Sequence, residues 1–444
     1  MSIKGISSII LMKFICRKPG PKSVKILERD AKVVSPSLTR EYSFVYKKSK
    51  GCYIWDVDGR RYLDFSASVA VMNTGHTNPE VAKSIAQQAK LGFHSGFSDF
   101  YTELPVQFIE TLLGFLPPYL NKCFLSNSGT ESIEASYKLA RWHTNKKWVV
   151  AFKPSFHGRT MGSLSLTNSK PVQRERFGPF LPVKHAPYPY CYRIHEDEHN
   201  ACSNIYLEDL EKTMQQCKNN LAAVFLEPVA GEAGYIVPPK EFVCGVRELC
   251  DKYDALLCDD EVQAGCYRTG KFLAIENFRV KPDIVSLSKA IGGGIPLGAT
   301  VANKKIMDWP PGSHANTFGG NLIACAAGIA TLKFMKRKKL GENAKRIGGY
   351  MVKRLNEMKE RYEIIGDVRG LGLMVGVEIV KNKRTKAYGI KERSDILCKA
   401  SEKGLLLLPA GVSSIRICPP LIITKEQANM GLDIFEDAVR ETVE

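Results

Sequence analysis

The stretch Asp283-Ile284-Val285-Ser286-Leu287-Ser288-Lys289-Ala290-Ile291-Gly292-Gly293-Gly294 sets one lysine between a short apolar run and three glycines. Apolar residues that continue without alternation suit a strand covered on both faces. Four more such runs surround it: Trp148–Phe152, Ala222–Glu227, Ala255–Asp259 and Gly298–Ala302. Helical patterns lie between them, over Glu131–Trp142 and Glu241–Tyr253. In the first helix Ile133, Tyr137 and Ala140 recur at helical spacing, with Glu134, Lys138 and Arg141 between them. This alternation predicts a doubly wound α/β domain with a mostly parallel sheet, from about Cys123 to Asn303. Lys289 then follows the end of a buried strand. Lysine is seldom buried without a partner. Among apolar neighbours its amine has a depressed pKa and can be a nucleophile. The plainer reading is a lysine snorkelling out of the strand end.

Two other stretches fit the same sheet edge. Ser126-Asn127-Ser128-Gly129-Thr130 lies between a strand-like run and the helix starting near Glu131. Its small residues allow close backbone approach, and a helix N-terminus offers free N–H groups and positive dipole to a phosphate. Ser128 and Glu131 also have the spacing of a simple capping box. Leu256-Leu257-Cys258-Asp259-Asp260-Glu261-Val262-Gln263 puts carboxylates at a strand's C-terminal end, where open α/β sheets place ligands. Such acids must be paired or solvated, as a helix cap or as the anion holding a cationic ring nitrogen. A phosphate cradle, a carboxylate for a pyridinium nitrogen and a strand-end lysine together meet the needs of pyridoxal phosphate.

Composition narrows the alternatives. The chain has 444 residues, 44% apolar and 25% charged, which is globular rather than disordered, collagenous or membrane-spanning. Net charge is 63 − 46 = +17, which keeps an anionic or nucleic-acid partner in view. The basic runs Lys336–Lys339 and Lys381–Lys386 lack interleaved aromatics, so a solvated helix face is the expectation and no nucleic-acid partner is assigned. Thirteen cysteines without a C-x-x-C pair suggest scattered free thiols, a reducing cytosol and a cytoplasmic protein. The apolar stretch Ile6–Cys16 is interrupted by Lys13 and is too short to span a bilayer. A plain tail, or a start at Met12, accounts for it, and no membrane partner is expected. His195-Glu196-Asp197-Glu198-His199 matches H-E-x-x-H, but its neighbours are polar and loop-like. A solvated loop is expected there, with no metal.

The two ends of the chain differ from the middle. Tyr53–Phe65 reads as two short strands around Asp58-Gly59, a hairpin. From about Ala324 a long helical pattern leads to the glycine-rich, strand-like Val368–Val380, then Leu405–Leu408, Ile415–Ile417 and a closing helix from Lys425. The expected division is 1–70 packing with the small domain, 71–325 as the large α/β domain, and 326–444 as a small α+β domain.

The chain resembles the class III (ω-amino acid) aminotransferases of the fold type I pyridoxal-phosphate superfamily, most of all the archaeal 4-aminobutyrate aminotransferase-like branch. The resemblance runs from about Lys18 to the C-terminus. It rests on Trp55-Asp56-Val57-Asp58-Gly59, Ser128-Gly129-Thr130-Glu131, Phe156-His157-Gly158-Arg159-Thr160, Glu227-Pro228, Asp260-Glu261-Val262-Gln263, Ser288-Lys289-Ala290 and Thr317-Phe318-Gly319-Gly320-Asn321. It implies a seven-stranded central sheet and pyridoxal 5'-phosphate as cofactor. By position, Lys289 is the catalytic Schiff-base lysine and Asp260 pairs with the pyridinium nitrogen. Gln263 contacts the ring oxygen and Phe156 stacks on the ring. Ser128, Gly129 and Thr130 bind the phosphate. Thr317 reaches the partner subunit's phosphate, which implies a homodimer, or a dimer of dimers, with shared sites.

For substrate, the resemblance assigns Arg416 to the α-carboxylate and Glu232 to covering it when an ω-amino donor binds. Arg159 matches the distal-carboxylate arginine, and Glu227 joins the substrate-binding set. The implied reaction moves an ω-amino group, first of all from 4-aminobutyrate, to 2-oxoglutarate. Amino-acid racemisation on the same scaffold and acetylornithine or ornithine transamination stay open, although Arg159 beside Phe156 favours transamination. A nucleic-acid binder would not need the Lys289 constellation. Two departures, Ser132-Ile133 and Ala264 with Cys266, are expected to sit beside the cofactor and tune substrate fit.

Overall fold

The computed structural model describes residues 16–217 and 219–444. The Ile6–Cys16 stretch, apart from Cys16, and the Met12 start lie outside the described residues. Near the N-terminus β1 (Tyr46–Lys50), β2 (Tyr53–Asp56) and β3 (Arg61–Asp64) form an antiparallel meander. The β2–β3 turn falls at the expected Asp58-Gly59, where Gly59 takes a φ of +91° that suits glycine.

The central sheet comprises β4 (Lys122–Ser126), β5 (Trp148–Lys153), β6 (Val183–Pro187), β7 (Leu221–Leu226), β8 (Leu256–Asp260), β9 (Ile284–Leu287) and β10 (Gly298–Ala302). Their order is β4-β10-β9-β8-β7-β5-β6. Strands β6, β5, β7, β8 and β9 run parallel, and β10 alone runs against both neighbours. Every residue of β7, β9 and β10 is buried, as continuous apolar runs require. The C-terminal ends of β4, β5, β7, β8 and β9 therefore share one edge. Strand β6 has no counterpart in the sequence reading. It carries Lys184, His185 and Pro187 and lies at the sheet's edge, so neither continuous burial nor strict alternation marks it.

The long C-terminal helical pattern is two helices, Leu322–Arg337 and Leu340–Arg361. They break at Lys338-Lys339, where Lys339 has a φ of +51°. The basic run Lys336–Lys339 is thus an exposed helix junction rather than a helix face, and Lys381–Lys386 lies in a loop. The glycine-rich stretch is not one strand but a hairpin of β11 (Ile365–Leu371) and β12 (Met374–Ile379), turning at Gly372 with φ +55°. After it come β13 (Leu405–Leu406), β14 (Leu408–Ala410), β15 (Ser414–Ile417) and the helix Lys425–Val443. The second four-stranded sheet has the order β11-β12-β15-β14, while β13 pairs in parallel with β3. The HEDEH stretch forms a short 3-10 turn with His195 and His199 exposed, not the α-helix a zinc protease needs.

The cysteines need a correction. Cys16 bonds to Cys398 and Cys191 to Cys202, leaving nine free among the thirteen. Neither pair is marked by close spacing of the C-x-x-C kind, and the first joins residues 382 apart in sequence.

Candidate active site

A cavity of about 330 Å³ opens at the C-terminal edge of the sheet. Nine predicted residues line it: Ser128, Gly129, Thr130, Phe156, Arg159, Glu227, Asp260, Gln263 and Lys289. They come from the ends of separate strands, which is where a doubly wound sheet gathers ligand-binding groups.

Lys289 opens the 3-10 turn Lys289–Gly292 with a φ of +45°. A non-glycine residue pays for this left-handed conformation, which recurs where backbone is held for function. Burial pushes its amine below the ordinary lysine range, against the pull of Asp260 and Glu227. Asp260 is 5% exposed. One of its oxygens lies 2.7 Å from His157 Nδ1, and the other accepts the Val262 N–H at 3.0 Å. Burial opposes charge on His157, but the hydrogen bond and charge of Asp260, with Glu227, raise its pKa above the ordinary value. His157 Nε2 is buried without a partner.

Glu227 accepts N–H bonds from Phe156 and Gly231, each at 2.8 Å. Burial raises its carboxyl to about 7. Gln263 Oε1 accepts the Tyr235 hydroxyl at 3.0 Å. Ser128 caps the helix Gly129–Thr144, accepting the Glu131 N–H at 3.3 Å. Glu131 reaches back to the Asn127 N–H at 2.7 Å rather than to Ser128, so a cap forms without the full box. Thr130 Oγ1 lies 2.9 Å from Thr160 Oγ1. At Gly129 an added Cβ would stand 2.6 Å from Val262, and at Gly158, with φ +135°, it would press on Thr130. Both glycines keep this wall open to close backbone approach.

Three predicted residues lie outside the cavity lining. Arg416, in β15 and 5% exposed, donates from Nη2 to Glu232 at 2.7 Å and from Nε to the Pro409 carbonyl at 3.0 Å. Its Nη1 is buried and unpartnered. The other Glu232 oxygen accepts Lys170 Nζ at 2.7 Å. The link to the cavity is Tyr235, whose ring centroid lies 5.8 Å from the Arg416 guanidinium. Thr317 sits on an exposed loop after β10 and does not line this chain's own cavity. Arg159 does line it, exposed, 5.9 Å from the Phe156 ring centroid.

The departures fall unevenly. Ala264 lines the cavity, but Ser132 and Ile133 turn into the core, where Ser132 donates to the Ala299 carbonyl at 2.7 Å. Cys266 is likewise a core residue. Helix periodicity already placed Ile133 inward, and proximity to Gly129 in sequence misled.

Sequence reasoning assigned no role to His157, Lys170 or Tyr235. His157 lay inside a quoted motif, but nothing in its spacing pointed to Asp260. The turn Ala67–Ala70 was also missed. Its four non-glycine residues have φ between +44° and +61°, and Ala70 packs with Val229 and Ala264 of the cavity wall.

The Aminotransferase class-III family model matches residues 35–439, and the chain belongs to that family. It is 37% identical over 425 residues to a leucine/methionine racemase of Thermococcus litoralis, covering 95% of this chain and 96% of that protein. An acetylornithine aminotransferase of Methanosarcina acetivorans is 40% identical over 420 residues, covering 95% and 98%. A protein of Bacillus subtilis named probable 4-aminobutyrate aminotransferase is 34% identical, covering 88% and 92%. Among solved structures, a taurine:2-oxoglutarate aminotransferase from Bifidobacterium kashiwanohense, in complex with PLP and glutamate, superposes with a TM-score of 0.89 at 29% identity, covering 96% and 99%. The expected special likeness to 4-aminobutyrate enzymes is therefore too narrow, because racemases and acetylornithine enzymes stand at least as near.

The cofactor is pyridoxal phosphate. The residues present fit it: a helix N-terminus flanked by glycines without room for a Cβ, a buried carboxylate held by His157, and a lysine whose amine burial pushes below the ordinary lysine range.

Proposed function

We propose that the protein transfers an amino group between a diamino acid derivative of the acetylornithine or ornithine class and a 2-oxo acid such as 2-oxoglutarate. The observation that carries this reading is the pairing of Arg416 with Glu232, which Lys170 holds from its other side. A donor that presents an ω-amino group brings no α-carboxylate to Arg416. The buried guanidinium then needs an internal anion, and Glu232 is that anion. A 2-oxo acid brings an α-carboxylate, for which Arg416 Nη1 stands as a ready donor.

Bound pyridoxal phosphate supplies an electron sink that acidifies the C–H next to the substrate's amino group. The chain does the rest. Lys289, whose amine burial shifts toward the uncharged form, is the nucleophile and the group that takes and returns the proton at that carbon. Asp260, oriented by His157 and the Val262 N–H, would hold the ring nitrogen in its protonated form. Ser128, Gly129 and Thr130 hold the phosphate at the helix N-terminus. Phe156 would cover the ring, Gln263 would contact its oxygen, and Arg159 would receive the distal carboxylate, since all three line the cavity. Glu227 fixes the Phe156 and Gly231 backbones against the substrate side. Thr317, on its exposed loop, completes the site of a second copy in a homodimer.

A second reading is amino-acid racemisation, the activity in the names of two relatives. It needs an acid–base group besides Lys289, and Glu227, with its carboxyl raised to about 7, lines the same cavity. One experiment separates the two. Purified holoenzyme is given a panel of amino donors with 2-oxoglutarate, and glutamate is measured. In parallel, single enantiomers of α-amino acids are incubated without any oxo acid. Glutamate formed from N-acetylornithine or ornithine supports the first reading, and inversion without oxo acid replaces it with the second.

A further inference from the structure

We infer that the chain carries a second ligand site, for a nucleoside phosphate, on the side of the sheet opposite the active site. A solvent-open depression of about 490 Å³ lies where the helix Gly129–Thr144 ends and Asn145–Lys147 lead into the first residue of β5. This is the N-terminal edge of the parallel sheet, whereas Lys289 and Asp260 lie at the C-terminal edge. Its volume lies within the range of small-molecule pockets and exceeds what a lone phosphate needs.

Its lining gathers Lys138, Arg141, Lys146 and Lys147 around Tyr137 and Trp142. Lys146 is paired with Asp254 at 2.8 Å, and Lys138 donates to the Ser313 carbonyl at 3.2 Å. No carboxylate pairs with Arg141 or Lys147 among the described residues. Arg141 Nε is buried and unpartnered, with the guanidinium 5.5 Å from the Tyr137 ring centroid. Tyr137 is 2% exposed, and the Arg141 guanidinium beside it counters part of the rise that burial causes in its hydroxyl pKa. A guanidinium with a buried, unpartnered Nε and no carboxylate to neutralise it suits an external anion.

Trp142 narrows the class. It is 52% exposed on the last turn of the helix. An accessible indole beside cations suits a planar ring carried on an anion, since bases stack on aromatic faces whatever their sequence identity. The chain's +17 charge steers such ligands inward. The assignment is independent of the substrate proposed above, because no residue is shared with the cofactor cavity.

The test uses the holoenzyme, whose own phosphate cradle is filled. ADP and inorganic phosphate are titrated separately by calorimetry into wild type and into Arg141→Gln, Lys147→Gln and Trp142→Ala. ADP should bind once per chain without releasing the cofactor, read from its absorbance. Arg141→Gln should weaken ADP roughly tenfold or more, the loss of a charge-assisted contact. Lys147→Gln, at the exposed rim, should weaken it less, and Trp142→Ala should weaken ADP but not phosphate. Transamination should be unchanged in all three. Absence of saturable ADP binding, ADP that displaces the cofactor, affinity unchanged in both Arg141→Gln and Lys147→Gln, or equal loss of ADP and phosphate in Trp142→Ala would each overturn the inference.

Discussion

Replacing Lys170 with methionine keeps the aliphatic stem and removes one of two cations on Glu232. The Glu232 carboxylate accepts Arg416 Nη2 and Lys170 Nζ, each at 2.7 Å. When an α-carboxylate claims Arg416, Glu232 must let go, and Lys170 is then the partner it keeps. In Lys170→Met the released carboxylate, whose side chain is only 19% exposed, loses that partner too. Lys170 is 39% exposed, so solvent screening limits the pair to about 1 kcal/mol. That cost is about fivefold in rate. The half-reaction with glutamate or 2-oxoglutarate should therefore slow about fivefold. The half-reaction with the ω-amino donor, in which Glu232 stays on Arg416, should change little. Single-turnover absorbance changes of the bound cofactor measure each half separately. Equal slowing of both, or a larger loss with the ω-amino donor, would refute the idea that Lys170 receives the displaced acid.

The complementary variants should split the halves in opposite directions: Glu232→Gln should impair the ω-amino half more, and Arg416→Lys the α-carboxylate half more, by roughly 1.5–3 kcal/mol for the lost fork. Lys289→Met should abolish turnover yet stabilise the cofactor-free protein at neutral pH. Burial lowers the amine's pKa in the folded chain, which penalises folding wherever the unfolded lysine is charged, so the gain should shrink as pH rises toward the ordinary lysine value, as thermal melts at several pH values would show. His157→Leu should loosen cofactor retention in dialysis, by the roughly 1.5–3 kcal/mol of a charged hydrogen bond. His157 has a raised pKa, so its stabilising pair is complete below about 6.5 and fades as pH climbs through the higher folded value, a slope the variant should lack. Thiol titration of the denatured, unreduced chain should find nine groups, and thirteen after reduction.

The central strands were readable because burial on both faces leaves unbroken apolar runs, as in Gly298–Ala302, whose predicted and observed limits coincide. Edge strand β6 and the β11–β12 hairpin were not, since one is half-solvated and the other turns at a single glycine inside an apolar stretch. Site residues at strand ends could be ranked from local context. Partnerships across the fold could not. His157 is linked to Asp260 over 103 positions and Lys170 to Glu232 over 62, and no local pattern encodes either. The left-handed turn at Ala67–Ala70 contradicts residue preference outright, because three-dimensional packing, not propensity, holds it.

The pairing of β13 with β3 sets a clock on biosynthesis. Leu63 emerges early from the ribosome, but its ladder partner Leu405 is made near the end of the chain. At ~5–20 residues per second the gap lasts roughly 20–70 s. Throughout that interval the edge of β3 that faces away from β2 has no native partner and is open to pairing with other nascent chains. Release of the finished polypeptide closes the edge, so premature termination between Asp64 and Leu405 leaves a product with an adhesive strand rather than a smaller enzyme.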